Sequence, residues 1–257
     1  MKRTTRIWVH TRPALLGVVV MLALTSASVA VADEPSGPLG VTAEAQADRH
    51  TERVGALFGA DRANDLKGGH YCTASVVHSP GRDLIVTAAH CVAGADDGGL
   101  LFVPGYRDGK APYGVWKVGK RYLPDGWAKD QDEDSDVALA VVQDLKGRKL
   151  EDVVGGNRFT AGTETGATAV TVVGYPSSRE VPIRCINKPT VHSRTQQRID
   201  CPAFSTGTSG SPWINGDGQV VGVIGGHEEG GDTDDVSYSV VLGSGAAELY
   251  KDATSGR

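Results

Sequence analysis

Three segments of this chain carry side chains able to move protons or attack a carbonyl, each at the edge of an apolar run. In "LIVTAAHC" the apolar run stops at His90, and Cys91 follows directly. A histidine held at a strand end suits a general base, because imidazole changes charge near neutral pH and needs a fixed orientation. In "DSDVALAVV" Asp136 precedes another apolar run. A carboxylate at such an edge can accept an imidazole N–H and so fix which ring nitrogen carries the proton. In "STGTSGSPW" Gly207 and Gly210 flank Thr208 and Ser209. Glycine accepts backbone angles that other residues resist, so this loop can turn the N–H groups of Gly207 and Ser209 toward one point. Two such converging donors make an oxyanion hole. Taken singly, each segment has a plainer reading: a structural histidine, a turn aspartate, a surface turn. Taken together they depend on one another, since a serine hydroxyl is a weak nucleophile without a base, and the base needs its orienting acid.

Their order along the chain narrows the class. The nucleophile elbow of α/β-hydrolases reads G-x-S-x-G and precedes its acid and histidine. Here the order is His, Asp, Ser, and Ser211 holds the place of the last glycine. No H-E-x-x-H and no C-x-x-C metal or redox pattern occurs, and a serine nucleophile served by a histidine base needs no metal and no organic cofactor. The acidic run "DQDEDSD" from Asp130 to Asp136 lacks the glycine and terminal glutamate of a calcium-binding EF-hand loop, and reads as a solvated loop.

The elements that must hold these residues are short strands. From Val54 onward the chain alternates brief apolar runs, such as "CTASVVH", "YGVWKVGKRY", "ATAVTVVGY" and "VSYSVVL", with Gly, Asp and Pro. That texture predicts an all-β domain over residues 54–257. The polar stretch from Lys146 to Thr165 divides the strands into two sets, about 54–150 and about 160–243. Only the end reads as a helix, over about 244–253, with Ser244 as its cap and Ala246, Leu249 and Tyr250 on one face. Residues 33–53, polar and rich in Ala, Pro and Gly, read as a short pro-segment or flexible N-terminal arm.

Residues 1–32 place the protein outside the cell. Lys2, Arg3, Arg6 and Arg12 precede the apolar "ALLGVVVMLAL", and Ala30-Val31-Ala32 fits the small-x-small cleavage pattern of a secretory signal peptide. A secreted protein with no membrane attachment after signal cleavage is expected. The formal net charge is −5, and losing the basic leader makes the remainder more acidic. An acidic chain without a basic cluster makes nucleic acid an unsuitable partner. The four cysteines, Cys72, Cys91, Cys185 and Cys201, fit an oxidising compartment as structural disulfides, and residue counting leaves three connectivities open.

The segments "TAAHC", "DSDVALA" and "GTSGSP" resemble the signature segments of trypsin-like (chymotrypsin-fold) serine proteases, particularly their secreted bacterial branch. The resemblance runs from about Val54 to the C-terminus. It implies two six-stranded antiparallel β-barrels followed by a C-terminal α-helix. It also implies a monomeric serine endopeptidase acting on protein or peptide substrates through an acyl-enzyme. Carried over residue by residue, His90, Asp136 and Ser209 are the catalytic triad, and the N–H groups of Gly207 and Ser209 form the oxyanion hole. Family members place a disulfide beside the histidine, which suits Cys72–Cys91 and leaves Cys185–Cys201. A catalytically silent secreted binding protein on the same fold is the alternative, separated from the enzyme by whether Ser209 reacts.

Two departures from the digestive enzymes stand out. Thr208 replaces the aspartate that precedes the nucleophile and pairs with a newly freed N-terminus, and Ser211 replaces a glycine. With no carboxylate there, the oxyanion loop should be set by its own hydrogen bonds, and cleavage at Arg53–Val54 should be mere trimming. Ala203 and Phe204, expected at the base of the specificity pocket, supply no negative charge. The segment "HEEGGDTDD" follows the strand expected to edge that pocket.

Overall fold

The computed structural model describes residues 39–94 and 99–255; the leader expected over residues 1–32 lies outside the described residues. Its strands are built from valine, isoleucine, leucine and threonine, whose branched side chains suit the pleated surface of a sheet. The first, β1 (Val41–Glu44), belongs to the second half of the molecule. The next six make the first half: β2 (Val54–Gly59), β3 (His70–Val77), β4 (Leu84–Thr87), β5 (Leu100–Pro104), β6 (Trp116–Tyr122) and β7 (Ala138–Val142). They close into an antiparallel barrel in the order β2-β3-β4-β7-β6-β5, so no strand edge in it is left unpaired. Alternate residues from all six strands, among them Leu57, Val76, Ile85, Phe102, Trp116 and Ala140, form one buried cluster that fills the barrel. The intervening residues, such as Phe58, Val86, Val103 and Leu139, pack instead with Val173, Tyr175 and Val220 of the second half.

The second half contains β8 (Arg158–Phe159), β9 (Val170–Gly174), β10 (Ile183–Asn187), β11 (Thr190–Val191), β12 (Gln196–Asp200), β13 (Pro212–Asn215), β14 (Gln219–Val223) and β15 (Val236–Val240). Rather than one ring, they form a six-stranded sheet, β1-β10-β9-β13-β14-β8, and a three-stranded sheet, β11-β12-β15. The physical reason is local. After Val223 the chain leaves the ladder through Gly225 and Gly226, the latter at φ +82°. What joins β14 to β15 is then the Val223 N–H on Ser239 Oγ and the Gly225 N–H on the Tyr238 carbonyl. The Cys185–Cys201 disulfide ties β10 to the end of β12, linking the two sheets covalently. The C-terminal helix runs Ser244–Ser255 and buries Ala246, Leu249 and Ala253. Tyr250 stacks on Phe159 and donates to the His78 carbonyl at 2.7 Å, fastening the helix to both halves. No helix among the described residues is long and apolar enough to cross a membrane.

The expected flexible arm over residues 33–53 differs from what is found from Val41 onward. Val41–Glu44 pair antiparallel with Ile183–Ile186. The Thr42 hydroxyl donates to the Pro202 carbonyl at 2.6 Å, and Ala45 is fully buried. The sequence does not mark this strand, because most of its side chains are exposed and its fixing bonds run through the backbone to residues far along the chain. Val54, the residue that cleavage after Arg53 would expose, is fully buried at the start of β2. A chain starting at Val54 should therefore lose several net hydrogen bonds, each worth about 1 kcal/mol, and be destabilised by about 2–4 kcal/mol. Urea denaturation compared with a chain starting at Asp33 checks this; equal midpoints would show β1 to be dispensable.

Candidate active site

β4 is wholly buried, as are Ala88 and Ala89, so the chain reaches His90 with no freedom to swing. There it enters a short helical turn, His90–Ala93. The next residue, Cys91, is bonded to Cys72 of β3, which staples this turn to the barrel wall. Tyr71 donates its hydroxyl to the Cys91 carbonyl at 3.1 Å. Desolvation of that hydroxyl pushes its pKa up to about 12, so it stays a neutral donor. His90 is left with a side chain 15% exposed.

Asp136 sits at the end of a 3₁₀ turn, Glu133–Ser135, whose start is capped by the Asp132 carboxylate accepting from the Asp134 N–H. It is 0% exposed. A buried carboxylate is tolerable only when hydrogen bonds replace its lost hydration. Asp136 has three such donors. Its Oδ1 accepts the His90 backbone N–H at 3.0 Å, and its Oδ2 accepts His90 Nδ1 at 2.7 Å and the Gly226 N–H at 2.8 Å. A carboxylate can only accept, so Nδ1 carries the proton of the neutral ring and Nε2 keeps a free lone pair. Sequence reasoning missed Gly226 as a donor. Its signal was the doubled glycine in "VIGGHEE": a Cβ on the neighbouring Gly225 would lie 2.9 Å from Asp136 Oδ2.

The serine loop is fixed by bonds of its own. Thr208 is buried, and both its N–H and its hydroxyl donate to the Ser205 carbonyl. The Ser211 hydroxyl donates to the Thr208 carbonyl at 2.6 Å, and the Thr73 hydroxyl donates to the Gly207 carbonyl at 3.0 Å. Gly207, at φ +97°, packs so closely on Tyr175 and Ser177 that a Cβ would meet their backbone at 2.6 Å. Gly210, at φ +82°, is pressed against Thr73 and Thr87, and its N–H donates to Ile224. Ser209 accepts the Thr73 N–H at 2.8 Å through its carbonyl, one residue from the Cys72–Cys91 staple. Among the described residues the N–H groups of Gly207 and Ser209 donate to no partner, while those of Thr208, Gly210 and Ser211 are all used. That leaves two donors available to a ligand on one tight loop.

Two cavities adjoin these residues. One of about 230 Å³ is lined by Phe204, Thr208, Ser209 and Ile224, together with Glu228, Glu229, Asp232 and Asp234. Ala203, expected at its base, is instead exposed at φ +68° and is absent from the lining. The cavity's negative charge comes from the loop after β14 rather than from its floor. A second, more open cavity of about 470 Å³ is lined by His90, Cys91, Tyr71 and Asp61. The sulfurs of Cys72 and Cys91 lie close to the His90 ring nitrogens, but both are consumed in a disulfide and neither is a thiolate ligand.

A family model described as a trypsin-like peptidase domain matches residues 72–223, a span that includes all three of these segments. No curated protein matches the chain significantly. Among solved structures, the protease Anisep from Arthrobacter nicotinovorans is 28% identical with a TM-score of 0.69, covering 83% of this chain and 99% of its own. A thermostable serine protease, AL20, from an extremophilic microorganism is 24% identical with a TM-score of 0.69, covering 82% and 100% respectively. A Glu endopeptidase is 20% identical with a TM-score of 0.66, covering 85% and 98%. The last two establish likeness of fold alone. The fold is chymotrypsin-like.

The close fit of the serine loop makes a sharp expectation for Gly210. A Cβ there would lie 2.1 Å from the Thr73 carbonyl oxygen and 2.2 Å from Thr87 Oγ1. Gly210→Ala must displace β3 or the loop, and should cost about 1–3 kcal/mol or more in strain alone. Thermal unfolding measures this. A variant with unchanged Tm would mean that the loop has slack.

Proposed function

Given that the chain belongs to the trypsin-like peptidase family and is a serine endopeptidase, we propose that it cleaves protein or peptide substrates through His90, Asp136 and Ser209. The observation that carries this reading is the doubly hydrogen-bonded contact of His90 with the fully buried Asp136. Ser209 Oγ attacks the carbonyl carbon of the scissile bond while His90 Nε2 takes its proton. The oxyanion that forms accepts from the N–H groups of Gly207 and Ser209. Imidazolium then protonates the leaving amine, the C–N bond breaks, and the acyl group stays on Ser209 as an ester. Water, deprotonated by the same Nε2, attacks that ester, and the acid product leaves with Ser209 restored. Asp136 stays ionised throughout, holding the ring and stabilising its charged form.

The same reading extends to where the protein works. The basic, apolar leader of residues 1–32 is removed on export, and the two disulfides suit an extracellular life as a monomer.

Ser209→Ala, His90→Ala and Asp136→Asn should each remove most peptidase activity while leaving the fold intact. Because the three act as a unit, a double variant should be little worse than a single one. A fluorophosphonate probe should label the wild type and not Ser209→Ala. Unlabelled wild type would favour a silent binding protein instead.

A further inference from the structure

Asp136 and Gly226 come from opposite halves of the molecule, yet the hydrogen bond between them is only 2.8 Å long. Something must hold these two segments at that separation. Between them lies Gln196, the first residue of β12, which is 4% exposed. Its amide nitrogen donates twice into the turn before Asp136, to the Glu133 carbonyl at 3.0 Å and to Asp134 Oδ1 at 2.8 Å. Its amide oxygen faces the other way and accepts the His227 N–H at 3.5 Å. The packing there is tight, since a Cβ on Gly226 would lie 2.4 Å from that oxygen. The turn leads directly into Asp136, whose own N–H returns to the Glu133 carbonyl at 3.4 Å. One side chain therefore spans the gap between the backbone that carries the carboxylate and the backbone that supplies its third donor.

We propose that Gln196 is the positioning residue of Asp136, a spacer that keeps the Gly226 N–H on the carboxylate and thereby holds the His90–Asp136 pair in line. This rests on the reading of His90, Asp136 and Ser209 as the triad. The residue type follows from the contacts. One end of the side chain must donate twice, to a carbonyl and a carboxylate, while the other end accepts from an N–H; an amide, with two protons on nitrogen and a free oxygen, does both, whereas a neutral imidazole has a single N–H. A carboxylate at the same place would face Asp134 and repel it. Two other contacts cross the same gap, His227 Nδ1 to Glu133 Oε2 at 3.6 Å and the Glu228 N–H to Glu133 Oε1 at 3.3 Å. Both involve the Glu133 carboxylate, whose side chain is 53% exposed, and exposed pairs contribute little.

The neighbouring residue provides the control. Gln197 is equally buried on the opposite face of β12, and its amide donates to the Val221 carbonyl at 3.0 Å, away from Asp136. Gln196→Met and Gln197→Met each keep the volume of the side chain and delete its hydrogen bonds. Two readouts follow the active site and not stability alone. One is the separation of kcat from KM. The other is the far-downfield proton resonance of His90 Nδ1–H, which reports the charge-assisted bond to Asp136. Gln196→Met should lower kcat about tenfold with KM changed less than about twofold, and should shift or broaden that resonance. Gln197→Met should leave both as in the wild type, whatever its Tm. If Gln196→Met matches the wild type in kcat and resonance, or if Gln197→Met reproduces its losses, the role assigned to Gln196 is overturned while inactive His90→Ala keeps the triad standing. If His90→Ala and Asp136→Asn stay fully active, the triad itself falls and this inference with it.

Discussion

The need of one buried carboxylate for hydrogen-bond donors organises much of this structure. Asp136 has no exposed surface, and its carboxylate is met by the N–H of the His90 ring and by two backbone N–H groups. Taking away a partner from a buried charge costs about 3–5 kcal/mol, so every segment that donates to it is under constraint. Those segments are the helical turn after β4, which supplies both His90 donors, and the glycine pair after β14. One belongs to the closed barrel and the other to the second half. The junction between the halves is thus bridged at a buried carboxylate, and docking of the two halves becomes part of building the site.

Other bonds across the same junction serve the serine loop. Thr73, on β3 of the barrel, meets that loop through both its groups: its N–H donates to Ser209 and its hydroxyl to Gly207, while Tyr175 donates back to the hydroxyl. Thr73 is fully buried although polar, and the network explains why this is affordable: each of its polar atoms is used. Cys72 precedes it and is bonded to Cys91, which follows His90. A single dipeptide on β3 therefore reaches the neighbour of His90 through a disulfide and Ser209 through the backbone. Relative placement of His90 and Ser209 depends on β3 more than on either loop.

How much of this could be read in the residues depended on whether the information was local. "TAAHC", "DSDVALA" and "GTSGSP" stood out because each places a titratable or hydroxyl side chain next to the strand or glycine that fixes it. The fold class was legible because short runs separated by Gly, Asp and Pro leave few alternatives to strands. β1 was not, since Val41–Glu44 expose most of their surface and are defined by pairing with residues about 140 positions later. The split of the second half into two sheets was hidden for a similar reason, as it turns on the backbone angles of a glycine pair. Gln196 carried no signal at all. In "TQQRID" it is indistinguishable from Gln197, and only the burial of each face by a different segment separates them.

The departure at Thr208 takes on a clearer meaning in this light. In the digestive relatives a charged N-terminus pairs with an aspartate at that place and shapes the oxyanion loop. Here the same position is buried, and a buried ammonium facing only a hydroxyl would be costly. The loop meets its needs with neutral groups instead. Thr208 folds its hydroxyl back onto Ser205, Ser211 closes onto Thr208, and Thr73 holds the Gly207 carbonyl. None of these bonds needs a new chain end to form, and all are present in a chain whose residue Val54 is still joined to Arg53. The N-terminal segment is bound for a different purpose, with β1 completing the edge of the six-stranded sheet. Under the proposed mechanism, the loop geometry is therefore a property of the folded domain. No bond in that loop waits on a cleavage event, so its geometry follows once the chain has folded and the two disulfides have closed.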